Sequence, residues 1–130
     1  MFEFKATLPK PEEFVEMRIL AGLTPRSLSA AQKGLQNSLF CICIYHNNQF
    51  IGMGRVIGDG GLNFEICDVM VHPDYQGQGL GNQIMQHIEN YLEKHAPEGS
   101  ICSLLADVPE LYQKFNYIAK ADCIGMFKNF

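Results

Sequence analysis

No apolar run in this chain of 130 residues approaches the ~20 residues needed to cross a bilayer. The first ten residues carry Glu3 and Lys5 among few apolar ones, so no secretory leader is expected there. Basic residues are also scarce. Ten Lys and Arg stand against 14 Asp and Glu, giving a formal net charge of -4 and a pI of about 5.5. A general nucleic-acid binder needs a basic footprint, so the balance argues against that class and suits a cationic partner better. The five cysteines, Cys41, Cys43, Cys67, Cys102 and Cys123, are odd in number and contain no C-x-x-C pair. Zinc spacing is therefore missing. His46, His72, His87 and His95 add no ligand pattern, and no metal is expected. Cys41 and Cys43 lie two apart in a β-type run and read as buried, reduced thiols. The expectation is a cytoplasmic protein with neither membrane nor nucleic acid as partner.

What is present fits one folded domain over residues 1–130. With 47% hydrophobic and 18% charged residues, the chain can bury a core without disulfides or metal. Phe2–Ala6 alternates and predicts a first strand. Pro11-Glu12-Glu13 is a helix start, with Phe14, Met17, Ile19 and Leu20 as its apolar side and Gly22 as its stop. Ser27 is suited to cap a second helix that runs to about Asn37. Leu39–Tyr45 and Phe50–Ile57 flank the turn signal Asn47-Asn48 and read as a hairpin. Leu62–Val71 is nearly continuous in apolar residues, as expected of a strand covered on both faces. Leu80, Ile84, Ile88 and Leu92 fall four apart and predict a helix over 80–94. A short strand at Ser100–Ala106, a helix at Pro109–Phe115 and a last strand at Ala121–Phe127 complete one mixed sheet with helices on its faces.

The sharpest signal is Val69-Met70-Val71-His72-Pro73-Asp74-Tyr75-Gln76-Gly77-Gln78-Gly79-Leu80-Gly81. It joins a buried strand to an amphipathic helix through three glycines, which let backbone approach a ligand closely. A helix N-terminus adds free N–H groups and a positive dipole end, so an anion, phosphate above all, is the expected occupant. A P-loop needs a Lys and a Ser/Thr that are not here. The dinucleotide fingerprint fails because its third glycine position is Asn82 and the preceding unit is an antiparallel meander. What remains is [QR]-x-x-G-x-[GA], filled by Gln76, Gly79 and Gly81.

In that phrase, and in the order of elements from Phe2 to Phe127, the chain resembles the GNAT superfamily of acyl-CoA-dependent N-acetyltransferases. The resemblance implies an α/β fold with a mixed, mostly antiparallel sheet of six to seven strands flanked by about four helices. It implies that Gln76, Gly77, Gln78, Gly79, Leu80, Gly81 and Asn82 hold the pyrophosphate of acetyl-CoA. Val69, Met70 and Val71 are then the strand edge that pairs with the pantetheine arm, which enters a gap between this strand and Ser100–Ala106. No Lys or Arg stands between Arg55 and Lys94, so binding is expected to rest on N–H groups and neutral amides, with weak salt dependence.

Acetyl transfer to an amine needs a neutral nucleophile, a polarised carbonyl and a proton for the departing thiolate. The segment Leu111-Tyr112-Gln113-Lys114-Phe115-Asn116-Tyr117 resembles the family's Y-[ED]-K-x-G-F, which makes Tyr112 the candidate general acid. Asn116 takes the place of the glycine, and Asn tolerates φ > 0. The candidate base is Glu65, with Asp68 as its rival. In a regular strand these two face opposite ways, and a bulge would change that. Asp59, Glu65, Asp68 and Asp107 are candidates for an acidic entrance, and Arg18, Arg26 and Arg55 for holding a substrate carboxylate. The leading expectation is a small-molecule primary amine as acceptor. A protein lysine or N-terminus, and a non-catalytic acyl-CoA-binding module, stay open. The apolar stretch Ile124 to Phe130 is a candidate for a homodimer contact.

Overall fold

The computed structural model describes all residues, Met1–Phe130. A five-stranded sheet runs in the order β1 (Phe2–Lys5), β2 (Phe40–His46), β3 (Gln49–Gly58), β4 (Asn63–Val71), β5 (Ile101–Leu104). The first three pairings are antiparallel, and β4 with β5 is parallel. Helices α1 (Pro11–Leu20) and α2 (Leu28–Leu35) cover one face, α3 (Leu80–His95) covers the other, and α4 (Pro109–Gln113) follows β5. No helix is long and apolar enough to cross a membrane.

Local chemistry accounts for most of these elements. Ser27 Oγ accepts from the Ala30 N–H and opens α2. Asn47 and Asn48 both take positive φ, the backbone of a tight hairpin turn. Strand alternation sorts the core. Ile42 and Ile44 face α3, whereas Cys41 and Cys43 face α1 and α2, with their sulfurs 3.9 Å apart. The pairing with Cys41, then burial, pushes the Cys43 thiol far up, so it stays protonated. On α3, Leu80, Ile84, Met85, Ile88 and Leu92 are buried against the sheet, a gross gain of about 8–15 kcal/mol at ~1.5–3 each. Gly54 permits that approach: a Cβ there would lie 2.5 Å from Ile84 Cγ2.

Two expectations are corrected. The sheet has five strands, not six or seven, because residues 121–127 form no strand. An alternating pattern becomes a strand only beside a free edge, and this segment pairs with none in its own chain. On α1, Phe14, Met17 and Arg18 are buried, while Ile19 and Leu20 lie outside. The buried stripe is i, i+3, i+4, and its third place belongs to an arginine.

β4 carries the feature that shapes the site. Met53 pairs with Met70 but Arg55 with Cys67, so β4 holds one extra residue, and Asp68 sits there at φ 55. Such a bulge reverses side-chain parity. Phe64 and Ile66 pack toward α3, yet Met70 packs toward α1. Cys67 and Asp68 therefore share the α1 side.

Candidate active site

β4 and β5 are hydrogen-bonded only over Asn63–Ile66 and Ile101–Leu104. Beyond Ile66 the outer edge of β4 has no strand beside it. A cleft of about 1190 Å³ occupies this opening. Its walls are β4 from Glu65 to Val71, the glycine loop, α4, and the loop between α1 and α2.

The glycine loop begins with a short 3-10 turn, Pro73–Tyr75, capped by His72, whose Nδ1 accepts from the Asp74 N–H at 3.1 Å. Gln76 then donates from its side-chain amide to the Val71 carbonyl at 2.9 Å, tying the loop to the strand. Gly77 and Gly79 adopt φ 80 and 81, which L side chains resist, and open space surrounds both. The chain enters α3 through Gly79 without any side-chain cap. As a result no backbone N–H from Gly77 to Asn82 donates to a protein acceptor, and the first bond of the helix is Gln83 N–H to the Gly79 carbonyl. Six consecutive free donors beside a dipole's positive end are suited to a pyrophosphate. Here the residues present fit the phosphate portion of coenzyme A.

One contributor lies far away in sequence. Lys114 Nζ, after α4, is 3.5 Å from Asn82 Oδ1 at the start of α3. Lys114 thus brings a basic side chain to the start of α3 from outside residues 55–94, beside the N–H groups and neutral amides on which binding is expected to rest. Nothing local in the sequence signals it, because the pairing spans 32 positions.

Among the acids, the structure separates the candidates. Asp68 is nearly buried between two guanidinium groups, with Arg18 Nη1 at 2.5 Å and Arg55 Nε at 2.6 Å. Arg18 also donates to the Thr24 carbonyl and hydroxyl, at 2.8 and 2.9 Å, and Arg55 to Ser38 Oγ at 3.0 Å. Arg18 and Arg55 are thus committed to Asp68, which corrects their assignment to a substrate carboxylate. Arg26 is exposed and bonded to Thr24 Oγ1 at 2.7 Å. Asp59 faces its own turn, where the N–H groups of Gly61, Leu62 and Asn63 donate to its Oδ1. Those bonds, that of Asn63 foremost, lower its pKa. Glu65 and Asp107 border the cleft and engage neither an ion pair nor a side-chain hydrogen bond.

Tyr112 borders the same cleft from α4. Burial first, then the charge of Asp107, raises its pKa, so the phenol keeps its proton at neutral pH. The turn behind it closes at Asn116, φ 70, where Tyr117 N–H reaches the Tyr112 carbonyl at 3.3 Å. Asparagine thus supplies the left-handed residue expected there. Cys67 also borders the cleft, and burial pushes its thiol up to about 12. It is a thiol at neutral pH and a poor nucleophile.

A splayed pair of parallel strands with an anion loop at its mouth is the architecture of an acyltransferase domain of the kind the loop resembles. Comparison with known proteins agrees. The family described as "Acetyltransferase (GNAT) domain" matches residues 37–119. The "Uncharacterized N-acetyltransferase ycf52" of Pyropia yezoensis is 34% identical over 113 residues, 82% of this chain and 64% of that protein. The "Histone acetyltransferase TAP1" of Glycine max is 33% identical over 121 residues, 82% of this chain and 51% of that protein. Among solved structures, protein SA2161 of meticillin-resistant Staphylococcus aureus, described as a "Probable Acetyltransferase", superposes with a TM-score of 0.96 at 41% identity, covering 100% of both chains. The chain belongs to the GNAT acetyltransferase family. It spans just over half to about two thirds of the length of these two curated relatives.

Proposed function

We propose that this chain transfers an acetyl group from acetyl-CoA to the primary amine of a small molecule, by direct attack while both are bound. The observation that carries the reading is the run of six unpaired N–H groups, Gly77 to Asn82, at the mouth of the cleft. When bound, acetyl-CoA supplies the activated acyl group as a thioester. The chain's own residues do the rest. Gln76 to Asn82 hold the pyrophosphate, and the free edge of β4 at Val69, Met70 and Val71 aligns the pantetheine arm. Glu65 takes a proton from the substrate ammonium, directly or through water. Tyr112 gives its phenolic proton to the departing sulfur. Direct attack is favoured over an acyl-cysteine because the one cysteine in the cleft, Cys67, is held as a thiol. The free carboxylates Glu65 and Asp107 favour a cationic acceptor.

The test is thermal unfolding with acetyl-CoA, CoA, NAD and ATP added separately. A ligand at ~100 times its dissociation constant adds about 2.7 kcal/mol of stability. Stabilisation by acetyl-CoA and CoA alone is expected, followed by turnover in a screen of small amines. No effect from either, or equal effects from all four, would sink the cofactor assignment. A second reading, a protein amine as acceptor, draws on the name of the Glycine max relative. Turnover confined to peptide lysines or N-termini would favour it.

A further inference from the structure

The free carboxylates of the cleft are gathered where the two parallel strands part. Glu65 lies opposite Ser103, one pair before the last, Ile66 with Leu104. Asp107 follows Leu104 by three residues, and its charge reaches the Tyr112 phenol. Neither carboxylate has an ion-pair partner. Away from the parting the lining turns apolar. Ile57 stands across from Glu65 on β3, and Leu35, Leu105 and Phe127 border the same cleft. Leu105 and Phe127 are 59% and 74% exposed, so the protein itself covers little of either. Gly34 on α2 also borders the cleft, and a Cβ there would meet nothing within 4 Å.

This distribution of charge excludes several kinds of acceptor. Arg18 and Arg55 are committed to Asp68. Arg26 Nη1 donates to Thr24 Oγ1 and to the Pro25 carbonyl, at 2.7 and 3.3 Å. An acceptor with a carboxylate or phosphate beside its amine would meet Glu65 and Asp107 as like charges. A long polyamine calls for carboxylates spaced along its length, whereas these two share one end of the cleft. The hydroxyls of a sugar would lose water against leucine and phenylalanine without gaining partners. We propose, resting on the acetyl-transfer reading above, that the acceptor is a primary monoamine on an apolar body, an aralkylamine or a long alkylamine. Its ammonium faces Glu65 and Asp107, and its body lies along Ile57, Leu35, Leu105 and Phe127. The N–C bond forms as the C–S bond breaks. Of the two protons that leave nitrogen, one passes through Glu65 to water, and the other replaces the proton that Tyr112 gives to sulfur.

The experiment measures thiol release from acetyl-CoA with 2-phenylethylamine, ethylamine, spermidine, glucosamine, free lysine and a lysine peptide. In the parent, kcat/KM for 2-phenylethylamine is expected to exceed that for ethylamine by roughly 10- to 100-fold, and to exceed all the others. Gly34→Leu fills the space beside α2 without a clash at its Cβ. It is expected to lower the ratio of 2-phenylethylamine to ethylamine about tenfold, while acetyl-CoA still raises the melting temperature. Should that variant not fold, the parent's panel decides alone. Preference for spermidine, glucosamine, lysine or the peptide overturns the inference, as does turnover of none of the amines or a ratio unmoved by Gly34→Leu. In those cases an intact thermal shift with acetyl-CoA leaves the cofactor assignment standing. Absence of that shift would instead fail the reading beneath, and this inference with it.

Discussion

Arg18 on α1 and Asp68 in the β4 bulge lie 2.5 Å apart, and through this contact the first helix is fastened to the strand that borders the cleft. Arg55 completes the clamp from β3 at 2.6 Å. Removing the carboxylate leaves two largely buried guanidinium groups without a counter-charge. Asp68→Ala is therefore expected to cost about 3–5 kcal/mol of unfolding free energy. Urea denaturation measures this, and a loss under about 1 kcal/mol, typical of an exposed pair, would contradict the clamp.

The glycine loop gives a prediction with two readouts. Gly79→Ala forces an L residue to φ 81 at the entry to α3, although space for its Cβ exists. The backbone penalty is about 1–2 kcal/mol. If the six free N–H groups are the anion site, acetyl-CoA affinity falls as the loop relaxes. Calorimetric titration beside a thermal melt reads both. Lower stability with unchanged affinity would place the phosphates elsewhere.

Tyr112→Phe removes a hydroxyl and little packing. Turnover is expected to fall by about 10²–10⁴, with CoA affinity retained. Burial raises the phenol's pKa, so in the parent the alkaline limb of kcat belongs above the ordinary tyrosine value of ~10. That limb is expected to vanish in the variant. An unchanged pH profile would remove Tyr112 from proton transfer and leave it a packing residue.

Lys114 brings a cation to the start of α3, reaching Asn82 at 3.5 Å. An exposed ion pair with a phosphate contributes about 0.2–1 kcal/mol, so Lys114→Ala is expected to weaken acetyl-CoA about 1.5- to fivefold. The salt dependence of binding is expected to be shallow in the parent and nearly flat in the variant. A steep slope that survives the substitution would mean that other cations hold the phosphates.

Asp59 predicts a pH signature. Three backbone N–H groups stabilise its charged form and lower its pKa in the folded state. A depressed carboxylate stabilises the fold above its unfolded pKa of ~3.9, and that contribution is lost as pH falls through the lower, folded value. Asp59→Asn is thus expected to be less stable than the parent at neutral pH, with the gap closing in acid. Thermal melts at neutral and strongly acidic pH check the sign, and a gap that widens in acid would refute it.

What the sequence made legible was local. Proline, asparagine and glycine punctuation and the four-residue spacing on α3 placed the observed elements within two or three residues at most ends. The loop glycines read as an anion site because their chemistry is contained in a few adjacent positions. What was illegible depended on distance or on competition. Arg18 occupies a core place on α1 that periodicity reserved for an apolar side chain, and only a carboxylate 50 positions away explains it. The bulge at Asp68 leaves no mark in an apolar run, since its evidence is the register against β3. The segment 121–127 has a strand's pattern without a strand's partner.

The free N–H groups of Gly77 to Asn82 carry a consequence for selectivity. Backbone donors sense negative charge and the spacing of oxygens, and every pyrophosphate offers these alike, whatever base or sugar is attached. If Gly77 to Asn82 hold the pyrophosphate as proposed, the loop supplies holding power with almost no discrimination. Telling one nucleotide from another would then fall to the bare edge of β4 at Val69–Val71, which can align an arm bearing amides in sequence but finds nothing comparable in a nucleoside triphosphate.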